Sequence, residues 1–216
     1  MISGNLQKRF ITSLVLLLII FLIFNYNIIL IYLLIVLGIL SILEFLQMTK
    51  KLSMKFVNFC FINLFFIFYI FIFCIRFFLF TNLTGLKVIL FILLSACVAS
   101  DIGGYIFGKM FKGPKLTKIS PNKTYAGAFG SIILSLIVVS FFSYYFLQTL
   151  NLKITIVAIL TSLFCQLGDL IFSFLKRKAK LQDTGKTLPG HGGILDRLDG
   201  ILLGIPLGFI TLEILI

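Results

Sequence analysis

Charged residues are scarce in this chain. Only 12% of its 216 residues are Asp, Glu, Lys or Arg, whereas soluble domains carry about 25%. Hydrophobic residues make up 60% of the chain, and the mean hydropathy is +1.17. These values exclude an ordinary water-soluble globule. Because a helical span needs roughly 20 apolar residues, the recurring apolar runs predict an all-α, polytopic membrane protein.

Cysteines are also few, and their spacing indicates neither a disulfide framework nor a metal site. All four lie inside apolar runs, where we expect them to pack as small hydrophobic side chains: Cys60, Cys74, Cys97 and Cys165. A small-residue cleavage pattern is missing after the basic and apolar N-terminus. That segment is therefore predicted to be an uncleaved first helix.

The apolar runs predict seven spans. These are 10–24, 28–47, 56–75, 86–108, 128–147, 154–175 and 199–216. Sixteen of the nineteen Lys and Arg residues fall on the side of the N-terminus, which predicts a cytoplasmic N-terminus in a cell inner membrane. The net charge of +12 thus reflects orientation, and nucleic acid is not expected as a partner. Residues 1–85 are predicted to form a scaffold. Residues 86–216 are predicted to carry the chemistry, with cytoplasmic loops 109–127 and 176–198.

Two acidic residues lie within predicted spans at similar depth. Asp101 comes eight residues before Lys109, and Asp169 comes seven before Lys176. At the rise of a helix, these positions are about 12 Å and about 10 Å below the basic edge. Acids at such depth favour a functional interpretation, because an unpaired one is costly in a membrane. The alternative is that neighbouring helices satisfy them by hydrogen bonding.

Polar residues also occur along the predicted helix 154–175 and in the segment before the preceding span. Along the helix itself, Ser162, Gln166, Asp169, Ser173 and Lys176 follow one another at spacings of three and four, which predicts one polar stripe. Upstream, three residues precede a glycine-rich helix start in a way that suits phosphate binding: Ser120, Lys123 and Thr124.

The most polar stretch, 173–199, separates two apolar runs. It holds three of the five Asp residues, the only His and six of the nineteen basic residues. Asp183, Asp196 and Asp199 offer hard oxygen ligands of the kind that Mg²⁺ uses together with substrate phosphates, and helix capping is the alternative for Asp196 or Asp199 alone. The residues placed to neutralise phosphate charge are Lys176, Arg177, Lys186 and Arg197. Glycines at 185, 190, 192 and 193 indicate close backbone approach to a ligand. His191 lacks a Ser or Cys partner, so a structural role in a tight turn is equally open.

Three motifs in this stretch resemble the signature of CDP-diacylglycerol synthases, also called phosphatidate cytidylyltransferases. They are S-x-L-K-R at 173–177, D-x-G at 183–185 and P-G-H-G-G-x-x-D-R-x-D at 189–199. The upstream segments SDIGGYIFGK and ISPNKTYAG are similar to the same family. Two positions depart from its pattern: Gln182 stands where Lys is usual, and Ala126 where Glu is common.

The resemblance implies that the cytidylyl group of CTP is transferred to phosphatidic acid, giving CDP-diacylglycerol and pyrophosphate. It implies Mg²⁺-assisted in-line attack at a site facing the cytoplasm, with membrane lipid as a partner, and leaves a second cation and a homodimer open. The implied metal ligands are Asp169, Asp183, Asp196 and Asp199. The implied catalytic residues are Asp183, Asp196, Asp199, Lys176, Arg177 and Arg197. The implied substrate-binding residues are Asp101, Ser120, Lys123, Thr124, Ser173, Lys186, His191, Gly192 and Gly193.

Three alternative functions compete with this hypothesis. A cation-coupled transporter would use Asp101 and Asp169 as ion ligands, but transporters favour midplane sites and internal repeats, and here the charge clusters at one face without a visible repeat. A CDP-alcohol phosphotransferase is disfavoured, because its long spaced Asp-Gly and Ala-Arg pattern is missing. A purely structural subunit would not need Asp196, Asp199 and the His-Gly-Gly turn together.

Overall fold

The structure is a computed structural model that describes residues 27–82, 84–117, 119–148, 150–185, 187 and 192–215. The predicted first span, 10–24, and the predicted site residues Lys186 and His191 lie outside these ranges. Within them the chain is helical, apart from turns, loops and one isolated antiparallel bridge between Lys115 and Thr124. The predicted all-α class is therefore confirmed.

Six helices in the described ranges correspond to the other six predicted spans. They are α1 (Asn27–Lys50), α2 (Phe56–Asn82), α3 (Thr84–Phe111), α4 (Tyr125–Phe142), α5 (Leu152–Lys178) and α6 (Leu195–Leu215), with a π-helical turn at Ser143–Leu147 after α4. All six are long and apolar enough to cross a membrane. The chain is thus a multi-pass membrane protein. Its orientation in the membrane stays a prediction.

Helix α6 begins four residues earlier than the apolar run predicts. Its first turns are polar, and hydropathy alone does not detect a polar helix start. Both Asp196 and Asp199 therefore belong to the first two turns of α6. Because they are three residues apart, their carboxylates lie on one side of the helix start.

The chain divides into two compact units. Unit 1 comprises Met1–Asn82 with Lys176–Arg197, and unit 2 comprises Leu83–Leu175 with Leu198–Ile216. The loop after α5 thus belongs to the same unit as α1 and α2. The functional division predicted at residue 85 stays a prediction.

In unit 1, α1 and α2 pack side by side in antiparallel directions. The rings of Phe45 and Phe66 stack with their centroids 3.8 Å apart. Four residues further along α1, the hydroxyl of Thr49 donates to Asn63 Oδ1 at 2.9 Å, and both side chains are buried. Stacking plus one satisfied buried hydrogen bond defines the register of this helix pair.

In unit 2, α3 and α4 approach each other closely through small residues. A Cβ at Gly103 would overlap the carbonyl oxygen of Gly130, and one at Gly104 would lie 2.8 Å from Ser131 Oγ. Gly130 in turn packs against Phe107. The glycines of α3 thus allow α4 to approach closely.

Helix α6 contacts α5 in the same unit through a second pair of glycines. A Cβ at Gly168 would lie 2.5 Å from the carbonyl oxygen of Asp199, and one at Gly200 would lie 2.6 Å from Cys165 Sγ. Small residues at such crossings allow membrane helices to pack by van der Waals contact. This contact places the backbone of Asp199 beside the residue that precedes Asp169.

We expect Gly103→Val to destabilise unit 2, because the new side chain would collide with the backbone of α4. That backbone could move only if the whole helix shifted. Overpacking of this kind costs about 1–3 kcal/mol, and a chain of this size loses roughly 2–4 °C in Tm per kcal/mol. Thermal unfolding of the detergent-solubilised protein measures the shift. Ile106→Leu, on an exposed position of the same helix, is the control and should leave Tm unchanged. An unaltered Tm in Gly103→Val would contradict the described packing.

Candidate functional site

The polar loop of unit 1 begins with a sharp reversal at the end of α5. The N–H of Leu181 donates to the carbonyl of Lys176 at 2.8 Å, and the N–H of Lys180 donates to that of Arg177 at 3.0 Å. Lys180 has a φ of 56°. This pattern is a Schellman motif, in which a left-handed residue ends the helix and satisfies its last carbonyls. It directs the chain from the basic end of α5 towards Asp183.

Asp196 is held by three donors. Its Oδ1 accepts from Lys176 Nζ at 2.7 Å, and its Oδ2 accepts from the N–H groups of Thr184 at 2.9 Å and Gly193 at 3.0 Å. The side chains of Lys176 and Asp196 are 13% and 8% exposed, so water screens this ion pair little. The contact with Gly193, three residues earlier, is helix capping. Asp196 therefore caps α6 and also joins the two ends of the loop.

Asp183 and Asp196 approach each other around Gly192. A Cβ at Gly192 would lie 3.2 Å from Asp196 Oδ2 and 3.5 Å from Asp183 Oδ1. With a φ of 84°, Gly192 also adopts a conformation that other residues rarely take. A side chain here would be strained and would fill the space between the two carboxylates. Asp183 is exposed, and no described residue donates to its side chain.

The chemistry of these two carboxylates fits Mg²⁺. Among the described residues, no three His, Cys, Asp or Glu side chains form a metal cluster. Mg²⁺, however, is commonly held by one or two carboxylates, with water and substrate phosphates as the other ligands. Asp183, which is exposed, and Asp196, beside it across Gly192, could supply that pair.

A residue outside the sequence prediction, Glu44 of α1, lies at the centre of the loop. Its side chain is buried. Oε2 accepts from the Thr184 hydroxyl at 2.7 Å and the Leu195 N–H at 2.9 Å. Oε1 accepts from the Thr187 hydroxyl at 2.5 Å and the Ile194 N–H at 2.9 Å. Each carboxylate oxygen thus receives one hydroxyl and one backbone donor.

Glu44 had a signal in the sequence. It is an acidic residue six positions before Lys50 in an otherwise apolar helix, and acids within membrane spans usually mark functional positions. No sequence signal indicates its partners, because Thr184, Thr187 and the start of α6 follow Glu44 by 140 residues or more. Only folding shows that they meet.

The first residues of the predicted stripe on α5 form hydrogen bonds with neighbouring helices of unit 2. Ser162 Oγ lies 2.9 Å from Ser100 Oγ of α3. Gln166 donates to the carbonyl of Ala128 in α4 at 3.3 Å and to Ser162 at 3.4 Å. For Ser162 and Gln166, hydrogen bonding between helices is therefore the observed role.

One helical turn further on, Asp169 is paired on both oxygens. Oδ2 forms an ion pair with Lys123 Nζ, and Oδ1 accepts from Ser173 Oγ at 3.2 Å. The Lys123 and Asp169 side chains are 26% and 31% exposed, so this pair is open to solvent in part. Three of the predicted site residues thus come together in unit 2.

The segment before α4 places Lys123 for this contact. Thr124 caps α4 by accepting from the Gly127 N–H at 3.1 Å. The N–H of Lys123 donates to the carbonyl of Ser120 at 3.1 Å, which closes a turn. Thr124 therefore acts as a helix cap in the described structure, and phosphate binding by Ser120 and Thr124 stays a prediction.

Two more of the predicted site acids lie in unit 2, Asp101 on α3 and Asp199 on α6. Asp101 Oδ1 is 3.9 Å from Cys165 Sγ, and Asp199 Oδ1 accepts from the Gly200 N–H at 2.9 Å. Arg177 and Arg197, which belong to unit 1, are exposed. Ligation of one ion by Asp169 or Asp199 together with Asp183 and Asp196 stays a prediction, as does the homodimer.

The sequence matches known proteins over most of its length. The profile of the cytidylyltransferase family matches residues 8–215. A phosphatidate cytidylyltransferase of Staphylococcus aureus (strain COL) is 44% identical over 133 residues, which are 61% of this chain and 51% of the relative. Over the same length and coverage, relatives of that name from Staphylococcus epidermidis (strain ATCC 35984) and Staphylococcus haemolyticus (strain JCSC1435) are 42% and 43% identical.

The chain spans about half the length of the curated relatives it matches. The family profile, in contrast, covers nearly all of it, including every helix that the structure describes. The chain therefore belongs to the cytidylyltransferase family.

Proposed function

We propose that this chain is a phosphatidate cytidylyltransferase, which makes CDP-diacylglycerol and pyrophosphate from CTP and phosphatidic acid. The observation that carries the proposal is the arrangement of Asp183 and Asp196 around Gly192, with Lys176 paired to Asp196. Two carboxylates and a lysine beside a glycine-rich loop provide both signs of charge that a reaction between two phosphate compounds requires. The names of the staphylococcal relatives support the same reaction.

The reaction requires little acid–base chemistry. A phosphate oxygen of phosphatidic acid forms a bond to the α-phosphorus of CTP, and the bond from that phosphorus to the bridging oxygen of the β-phosphate breaks. Pyrophosphate leaves with the electron pair. Such transfers depend mainly on positioning and on stabilisation of negative charge.

The basic residues of the chain would perform most of this work. Lys176, Arg177 and Arg197 are attached to the ends of the unit 1 loop, where they can bind phosphate oxygens and offset the charge of the leaving pyrophosphate. Lys123 is half-buried in unit 2, with Asp169 as its resting partner. A phosphate that replaced Asp169 would gain a point charge already held in place.

Asp183 and Asp196 are the residues that would hold Mg²⁺. When bound, the ion would neutralise phosphate charge and polarise the phosphoryl group. Asp196 would also maintain the loop through Lys176, Thr184 and Gly193, so it combines ligation with a structural role. Among the described residues, none forms a comparable loop-stabilising hydrogen bond with the Asp183 side chain.

We place the site at the cytoplasmic face of the inner membrane. Six apolar helices support a location in a bilayer, and the distribution of basic residues supports this orientation. There a lipid headgroup and a soluble nucleotide can reach the same loops. No observation favours the transporter alternative, since Asp169 is neutralised by Lys123.

We expect the purified protein to form labelled CDP-diacylglycerol from CTP and phosphatidic acid only when Mg²⁺ is present. Asp183→Asn should lower kcat by about 100-fold or more, because it removes a charge from the reacting centre. Glu213→Gln makes the same chemical change at an exposed position near the end of α6 and should leave the rate unaltered. Product formed at the normal rate by Asp183→Asn, or in EDTA, would refute the assignment.

Lys123→Met should raise the KM of one of the two substrates by about tenfold, since a charge-assisted contact to phosphate contributes about 1.5 kcal/mol or more. Its effect on Tm should be small, because partly exposed ion pairs contribute about 1 kcal/mol or less to stability. Steady-state kinetics with each substrate varied in turn measures the change. Lys115→Met, at an exposed lysine of the same loop, is the matched control. Equal KM values for the two variants would remove Lys123 from the site.

A further inference from the structure

We propose that Glu44 is a positioning residue for the loop that carries Asp183 and Asp196. This role rests on the proposed function in so far as it concerns catalysis. The carboxylate lies on α1, more than 50 residues before the first segment that resembles the family, 100–109. Among the described residues, its hydrogen-bond partners are not side chains proposed to bind phosphate, so its effect on the reaction would be exerted through the loop.

All four described donors to Glu44 come from the loop or from the start of α6. Two are hydroxyl groups, of Thr184 and Thr187, and two are the backbone N–H groups of Ile194 and Leu195. The contacts between α1 and α2 are made by other residues, such as Thr49 and Phe45. Glu44 therefore organises the loop and has no visible part in pairing the two helices.

One residue, Thr184, connects Glu44 to the two proposed metal ligands. Thr184 donates its hydroxyl to Glu44 and its N–H to Asp196. It also directly follows Asp183 in the chain. A displacement of Thr184 would therefore change both proposed metal ligands at once.

The backbone of the loop packs closely against the Glu44 carboxylate at two glycines. A Cβ at Gly185 would lie 2.7 Å from Glu44 Oε1, and one at Gly193 would overlap Oε2. The loop thus encloses the carboxylate, which satisfies the first N–H groups of α6. Helix N-termini favour a negative charge at this position.

Replacement of Glu44 by Gln tests the proposal with almost no change in volume. Each oxygen of Glu44 accepts one backbone N–H, and backbone donors cannot reverse their role. In either orientation the Gln amide group would face one of these N–H groups. We expect hydrogen exchange at residues 192–197 to become about tenfold faster or more, and kcat to fall by about 10–100-fold, in full-length protein in nanodiscs.

Thr187→Val is a milder second variant, because it removes one hydroxyl donor from an exposed side chain. Thr187→Val should show smaller changes in both exchange and kcat. Thr187→Ser, which keeps the hydroxyl, should return both to wild-type values. Thr49→Val is the control. It removes a buried hydrogen bond one turn further along α1, so it should lower Tm while kcat and exchange at 192–197 stay normal.

The outcomes separate the two proposals. If the wild-type protein forms no CDP-diacylglycerol, the proposed function fails, and the exchange measurement still decides whether Glu44 orders the loop. If the wild-type protein is active and Glu44→Gln retains its kcat, the positioning role is wrong. Unaltered exchange in Glu44→Gln, or a loss of kcat in Thr49→Val as large as in Glu44→Gln, would overturn it as well.

Discussion

The start of α6 depends on negative charge supplied by two side chains. A helix N-terminus leaves N–H groups without partners inside the helix, and within a membrane protein water cannot be relied on to satisfy them. Here Asp196 accepts from Gly193, and Glu44 accepts from Ile194 and Leu195. These bonds hold the described residues of the glycine-rich loop, which have little regular secondary structure of their own.

This arrangement has a consequence for substrate binding. Free helix N-termini often bind phosphate groups through the same N–H groups. In α6 the N–H groups of Ile194 and Leu195 are already bound to Glu44. Under the proposed function, these two N–H groups would not be available to phosphate, and side-chain cations such as Lys176, which is oriented by its pair with Asp196, would take that role.

Unit 2 satisfies several of its buried polar groups in a different way. Its glycines bring the helices close, and the polar side chains between them form hydrogen bonds from Ser100 through Ser162 to Gln166. Asp169, three residues after Gln166 on the same helix, is paired with Lys123. Polar residues that are satisfied in this manner can be carried through an apolar bundle at low cost. In unit 2 the closely packed helices thus hold the charged pair of Asp169 and Lys123 in a defined position.

The amino-acid sequence by itself determined the helical class, six of the described spans, the acidic start of α6 and the loop that joins α5 to it. These features are local, because hydropathy, helical spacing and motifs act over one helix or one loop. Only the tertiary structure decided that Glu44 is bound by Thr184 and Leu195, or that Lys123 pairs with Asp169. Such contacts join residues that are far apart in the chain, and no periodicity in a single sequence records which polar side chains will satisfy one another when the helices pack.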